Sequence, residues 1–464
     1  MASAVPGIDC EGSHVVAFVG VSAHATKGST YRQPTPQQRL AATCLSGRVT
    51  KSQTLDQLSP ASTFPAPLVL PGDELEEDPE YPPQSLCAWA REKERNPITS
   101  ERRTLYVIDA PEIDQEVADM RGWIDPVIPK QNRLRSFPSD LPQPRVQDIT
   151  NYLAAFYHGL DVKSLPSSHY RFVPLGKRRA KSNNSEGKVG LAAPDGSVTA
   201  IRHRPSKDGV AIGQLNLLDL LDVLDATVPA DAYAVVLLVH HDTYESDEDD
   251  FCCGRAFGGS RISVVSSFRY HPGLDLFADV EHLHAWPASH CISLVDYMWD
   301  SRTTDDDATF VVATRDTPMS RALKAATKSI MIPKMTSKTG WAAMWLARTC
   351  RTASHELGHC FGLDHCVYYA CVMQGVATIS EDARQPPYLC AVCLSKLAFG
   401  VMSEASGTKG KGKARDASRR ESEELEWVIA RYKALAAVCI TWGNVGLWKT
   451  FHAWITGRLE ELDN

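Results

Sequence analysis

Several things are missing from this chain, and each absence removes a class of protein. No stretch approaches the roughly 18 consecutive apolar residues that a membrane-spanning helix needs. Neither sign of charge dominates: 49 Lys and Arg stand against 56 Asp and Glu, a net charge of −7. That argues against a strongly basic nucleic-acid-binding protein. With 43% hydrophobic and 23% charged residues the composition is neither collagen-like nor that of a wholly disordered chain, and no internal repeat is visible. The apolar stretch Val15 to Val21 is preceded by Asp9 and Glu11 and by no Lys or Arg. A secretory signal carries positive charge there, so these residues read as a poorly ordered leader. The expected compartment is intracellular, cytoplasm or nucleus, and the expected partners include neither nucleic acid nor membrane.

What the chain has in plenty is cysteine, thirteen in 464 residues. An odd count in a long chain does not suit a small disulfide scaffold. Cys10, Cys44, Cys87, Cys291 and Cys439 are isolated, and Cys252 and Cys253 are adjacent. The other six fall between Cys350 and Cys393, together with three of the fifteen histidines. Such clustering points to metal.

The length allows two or three domains at roughly 150 residues each. Residues 1–100 have little periodicity and read as an irregular arm; seven prolines between Pro60 and Pro83 favour extended and turn structure. Residues 101–402 look globular. Thr104 to Ile108 predicts a strand and Val146 to His158 a helix stopped by Gly159. Val189 to Ala193 and Val198 to Ile201 flank Pro194-Asp195-Gly196, a hairpin signal. Leu215 to Leu224 predicts a helix, and Ala232 to Val239 a buried strand. Gly258 to Ser267 predicts another strand. The basic run Gly176 to Lys188 and the acidic run Ser246 to Asp250 read as solvated loops, and His282, His284 and His290 as ordinary loop histidines. Residues 403–464 read as a Gly/Lys/Ser linker, Ser403 to Ser418, and a helical segment. Its apolar face carries Leu425, Val428, Tyr432, Leu435 and Cys439, with Glu421, Glu423 and Glu424 in the first turn.

The decisive stretch is Thr352 to Cys393. Leu346, Cys350, Ala353, Leu357 and Cys360 recur at three-to-four spacing and predict the buried stripe of a helix. His355 and His359, at i and i+4, share a face away from most of that stripe and can grip one metal ion. Glu356 is one step round the same turn, placed to hydrogen-bond a metal-bound water. Gly362 permits a left-handed stop, after which His365 can return as a third ligand. Three nitrogens and an open position make a catalytic zinc site. Next come Cys366, Cys371, Cys390 and Cys393, two close pairs that suit a closed tetrahedral zinc site; a disulfide pair is the alternative.

The run His355-Glu356-Leu357-Gly358-His359-Cys360-Phe361-Gly362-Leu363-Asp364-His365-Cys366, followed by Cys371, Met373, Cys390 and Cys393, resembles the archaemetzincin family of zinc metallopeptidases. The HExxHxxGxxH part is common to metzincins; the cysteine framework and the Cys-x-Met element single out archaemetzincins. The resemblance covers about 40 residues. It implies an α+β, metzincin-like zinc peptidase domain with a twisted mixed sheet, an active-site helix and a four-cysteine zinc subdomain. It implies that His355, His359 and His365 bind catalytic zinc, that Glu356 is the general base, and that Cys366, Cys371, Cys390 and Cys393 bind structural zinc, two Zn2+ per chain. Met373, rather than Met402, corresponds to the Met-turn. Gly258 to Ser267 is the candidate edge strand for an extended peptide.

The expected activity is hydrolysis of peptide bonds in a peptide or protein substrate, through a zinc-activated water and the glutamate base. The sequence names no second oxyanion donor; Tyr368 and Tyr369 are near the motif in sequence only. Two other readings stay open at this point: a catalytically weak or inactive zinc-stabilised peptide- or protein-binding module, and a redox protein using Cys390 and Cys393.

Overall fold

A run as apolar as Ala232 to Val239 is stable only as a strand covered on both faces. The structure, a computed structural model, has a fully buried strand there. It describes residues 30–49, 63–130, 137–138, 140–175, 187–282, 285–290, 316–330, 337–405, 417–443 and 445–463. The leader, nearly all of the basic run, His284 and Cys291 lie outside the described residues.

The strands are β1 (Thr104–Ile108), β2 (Glu112–Ile113), β3 (Asp161–Leu165), β4 (Arg171–Val173), β5 (Gly187–Ala192), β6 (Val198–Arg204), β7 (Gln214–Asn216), β8 (Ala232–Val239), β9 (Asp242–Tyr244), β10 (Gly254–Phe257) and β11 (Ile262–Ser266). They form two mixed sheets, ordered β10-β11-β8-β1-β3 and β2-β4-β5-β6-β7-β9. The first is parallel except for β10, which runs antiparallel to β11 at the sheet's edge. Along β8 the pleat sends Val236 and Leu238 into one core and Val235, Leu237 and Val239 into another.

The helices are α1 (Pro36–Ala42), α2 (Glu74–Glu77), α3 (Leu86–Arg91), α4 (Val146–Phe156), α5 (Leu217–Thr227), α6 (Pro318–Ile330), α7 (Lys338–Cys360), α8 (Ile379–Arg384), α9 (Ala391–Ala405), α10 (Ala417–Thr441) and α11 (Gly446–Asp463). The described residues therefore form a mixed α and β protein with two sheets and a buried cysteine cluster. Among the described residues no helix is long and apolar enough to cross a membrane. Helix α7 crosses β8, β11 and β10 and also packs on α4 and α11. Its stripe, Leu346 to Cys360, is buried as the spacing predicts.

Three readings change. The edge strand is β10, residues 254–257; the predicted strand splits into a tight turn at Gly258–Ser260 and β11, which is fully buried between β8 and β10. A β-branched run with no polar face belongs inside a sheet, and the edge falls to the half-exposed neighbour. Residues 214–216 are strand β7, so α5 starts at Leu217 behind its cap Asn216. Helix α10 begins at Ala417, which moves Glu421, Glu423 and Glu424 beyond its first turn. Leu425 is exposed, while Tyr432, Leu435 and Cys439 reach the core.

Both flanking segments enter that core. Phe64, Leu86, Trp89 and Ile98 from the N-terminal side join the same apolar cluster as Trp448, Phe451 and Trp454 from α11. Trp454 stacks on Tyr388 with ring centroids 4.3 Å apart, and Trp448 donates its indole N–H to the Ala343 carbonyl of α7 at 2.8 Å.

Candidate metal centres

Helix α7 is buried almost all the way round; in its last two turns only His355 and His359 are part-exposed. Its polar residues are buried as ion pairs: Arg348 with Asp275 at 2.6 Å, and Arg351 with Asp382 of α8. The helix ends in a double-bonded turn. The Gly362 N–H reaches the His359 carbonyl at 2.9 Å and the Leu363 N–H reaches that of Gly358 at 3.1 Å. This Schellman closure needs the left-handed residue Gly362, φ +73°. It throws the chain back, so that His355, His359 and His365 each offer a ring nitrogen, all within 4.8 Å of one another.

The ring orientations suit a cation. His355 Nδ1 lies 2.7 Å from the Val372 carbonyl, and His359 Nδ1 2.7 Å from that of Leu363. A carbonyl only accepts, so each Nδ1 carries the proton and each Nε2 a bare lone pair. The two Nε2 atoms are 3.0 Å apart. Two facing lone pairs at that distance repel unless a cation lies against both. Burial lowers the pKa of His355 to about 4 and that of His359 well below the usual value, which keeps both rings neutral and available as ligands. His365 Nδ1 lies 2.8 Å from Glu74 Oε1. Burial alone would raise the Glu74 carboxyl, but His365 and then His355 outweigh it and hold it low.

Glu356 is 6% exposed and lines the same cleft, a cavity of about 550 Å³. Burial pushes its carboxyl up to about 8, with Arg255 opposing and Glu245 adding to the rise. Edge strand β10 passes directly over it: a Cβ on Gly254 would lie 2.7 Å from Glu356 Oε1. Met373 is fully buried below the helix, where its sulfur fills the space a side chain on Gly358 would need. Tyr368 and Tyr369 are buried elsewhere and do not line the cleft.

The second cluster is Cys366, Cys371, Cys390 and Cys393, all buried, with the four sulfurs within 4.8 Å of one another. They are free thiols; Cys366 and Cys390 sulfurs stand 3.6 Å apart, well beyond a disulfide bond of roughly 2.05 Å. Backbone amides of Cys390 and Met373 point at the Cys371 sulfur, at 3.2 and 3.5 Å. Hydrogen bonds from the other three thiols hold Cys366 well below its usual pKa, while burial raises Cys371 and Cys390. One thiolate is favoured without a cation; four are not. That donor set suits zinc.

Several residues in and around the cleft have no signal in the motif. Gln84 spans the turn between the two clusters: its amide donates to the Gly362 carbonyl at 3.0 Å, and its carbonyl accepts from Asp364 N and Lys396 Nζ. Glu74, Tyr81, Arg95 and Asn96 line one wall and Arg255 lines another. The only local hint was Asp73 before Glu74, a helix-start pattern.

A helix presenting two histidines and a glutamate, a left-handed turn and a returning third histidine define the HExxHxxGxxH class of metal-site proteins. A family model described as peptidase family M54 matches residues 332–398. The chain is 27% identical over 253 residues to archaemetzincin-2 of Homo sapiens, covering 54% of this chain and 53% of that protein. It is 27% identical over 197 residues to archaemetzincin-1 of Mus musculus, covering 42% of this chain and 32% of that one. The match thus spans about half the length, or less, of these curated relatives. A crystal structure of archaemetzincin from Methanopyrus kandleri aligns with 65% of this chain and 97% of its own, at 16% identity and a TM-score of 0.30. Over the matched segments the chain is thus similar to archaemetzincins and carries the peptidase family M54 pattern.

Proposed function

We propose that the chain is a zinc-dependent metallopeptidase with a metzincin-like site. The observation that carries this reading is the buried Glu356 carboxylate in the cleft that also holds the two facing histidine Nε2 atoms. His355, His359 and His365 would hold the catalytic zinc, and Cys366, Cys371, Cys390 and Cys393 a second, structural one, two per chain. When bound, catalytic zinc lowers the pKa of a water to about 7 and polarises a carbonyl. Glu356 does the proton work: buried in the cleft that the histidines line, it is placed to take a proton from the attacking water and deliver it to the leaving amine. Edge strand β10 offers its free backbone to an extended peptide by strand addition. Met373, as the Met-turn methionine, floors the site. The substrate class is a peptide or protein, and the expected compartment is the cytoplasm or nucleus.

The test is a diverse peptide library incubated with the zinc-loaded full chain and read by mass spectrometry. Cleavage that a chelator abolishes and added zinc restores is the expected result. No cleavage by the zinc-loaded protein overturns the peptidase reading in favour of a binding module.

A further inference from the structure

The three histidines are not held alike. His355 and His359 each give Nδ1 to a backbone carbonyl from their own neighbourhood. His365 has no such carbonyl. Its Nδ1 instead faces Glu74, 291 residues earlier by number, at 2.8 Å. The approach is at ion-pair distance without hydrogen-bond alignment, and Nδ1 has no other hydrogen-bond partner.

The position of Glu74 is built rather than incidental. Its backbone N–H donates to Glu381 Oε2 at 3.1 Å. The preceding residue, Asp73, pairs with Arg384 at 2.5 Å. Both partners are on α8, so the short helix α2 is fastened beside the turn that carries the third ligand. The Glu74 carboxylate lies over Gly375, where any β-carbon would overlap it. Tyr81 stacks on the His365 ring, centroids 5.5 Å apart and 29° from parallel.

We propose that Glu74 is the outer carboxylate of the three-histidine site, a positioning residue that holds His365 with Nδ1 protonated and Nε2 turned to the metal. Each of the three ligands then has an oriented Nδ1 acceptor: two carbonyls and one carboxylate. A carboxylate in that place fixes the tautomer and raises the basicity of the ligand. The N-terminal arm thereby becomes part of the metal site. This inference rests on the three-histidine site binding zinc, as proposed above.

The test measures zinc affinity of the histidine site in the full chain by chelator competition, with the four-cysteine zinc as an internal reference. Glu74→Gln keeps the length and removes the charge. Gly375→Ala keeps Glu74 but displaces its carboxylate. Both variants are expected to weaken the histidine-site zinc by about 10- to 100-fold, to alter the absorption bands of the cobalt-substituted site, and to leave the cysteine-site zinc in place. Affinity within twofold of wild type in both variants overturns the proposal. Loss of the cysteine-site zinc as well also overturns it, because Glu74 would then act on the fold. A wild type that holds one zinc per chain, unaltered by His355→Ala, overturns the histidine zinc site and this inference together. A wild type with two zincs whose Glu74→Gln form keeps both affinities overturns this inference alone.

Discussion

Trp89 donates its indole hydrogen to the carbonyl of Phe361 at 2.9 Å, across 272 residues of sequence. Phe361 is the residue that ends the histidine helix, so this bond ties α3 of the N-terminal arm to the turn that carries His365. Trp89 is 1% exposed, meets Phe399 edge-on, and has the Arg95 guanidinium over its face. Trp89→Ala is expected to cost about 3–5 kcal/mol of unfolding free energy. Trp89→Phe keeps a ring and loses the hydrogen bond, at a cost nearer ~1–3 kcal/mol for the orphaned carbonyl and lost volume. Denaturant titration of the zinc-loaded chain reads both. Equal, negligible losses would show the arm to be dispensable.

The four buried thiols make a second prediction. With zinc bound, Cys366, Cys371, Cys390 and Cys393 resist a thiol reagent until a chelator is added, and in a His355→Ala background, which lacks the histidine-site ion, one zinc is released as these four thiols become reactive. Cys390→Ser is expected to lose that zinc and raise protease sensitivity around residues 366–393, because metal binding at such a site is folding free energy. Ready reaction of Cys390 and Cys393 in the native, metal-loaded protein would instead support a redox dithiol.

Acid sensitivity follows from three histidines away from the proposed metal ligands. Burial lowers the pKa of His241 and His271 to about 4 and that of His290 to about 3, and all three have low exposure. Each binds a proton in the unfolded chain near its ordinary value of roughly 6.5 but resists it when folded. Their contribution to stability is therefore present above about pH 6.5 and is lost as pH falls towards 4. The urea midpoint is expected to drop across that window, with protons taken up on unfolding. His241→Gln is expected to make the drop shallower. A flat midpoint from pH 7 to 5 would contradict the burial argument.

The histidine site was legible because its chemistry is local. A stripe at helical spacing, one glycine and a returning histidine fall within twenty residues, and the structure folds them as the spacing predicts. Strand β8 was legible from composition alone, since a wholly apolar run has few places to go. The edge strand was not: Gly254–Phe257 has no alternation of its own, and β-branched Ile262–Ser266 drew the assignment to itself. The arm was hidden for a different reason. Gln84, Trp89 and Glu74 act through contacts spanning hundreds of residues, and no local pattern encodes a long-range partner. The acidic run at 246–250 is a loop, as read, though Arg204 and Lys207 bind its carbonyls at 2.6 and 2.7 Å.

The central claim is that Glu356 performs the proton transfers of peptide hydrolysis at a histidine-bound zinc. Glu356→Gln tests it most directly, with zinc content and peptide cleavage measured on the same preparation. The account predicts two zinc ions per chain, as in wild type, and hydrolysis reduced by about 10²-fold or more. Cleavage at the wild-type rate by the zinc-loaded Glu356→Gln protein would contradict it.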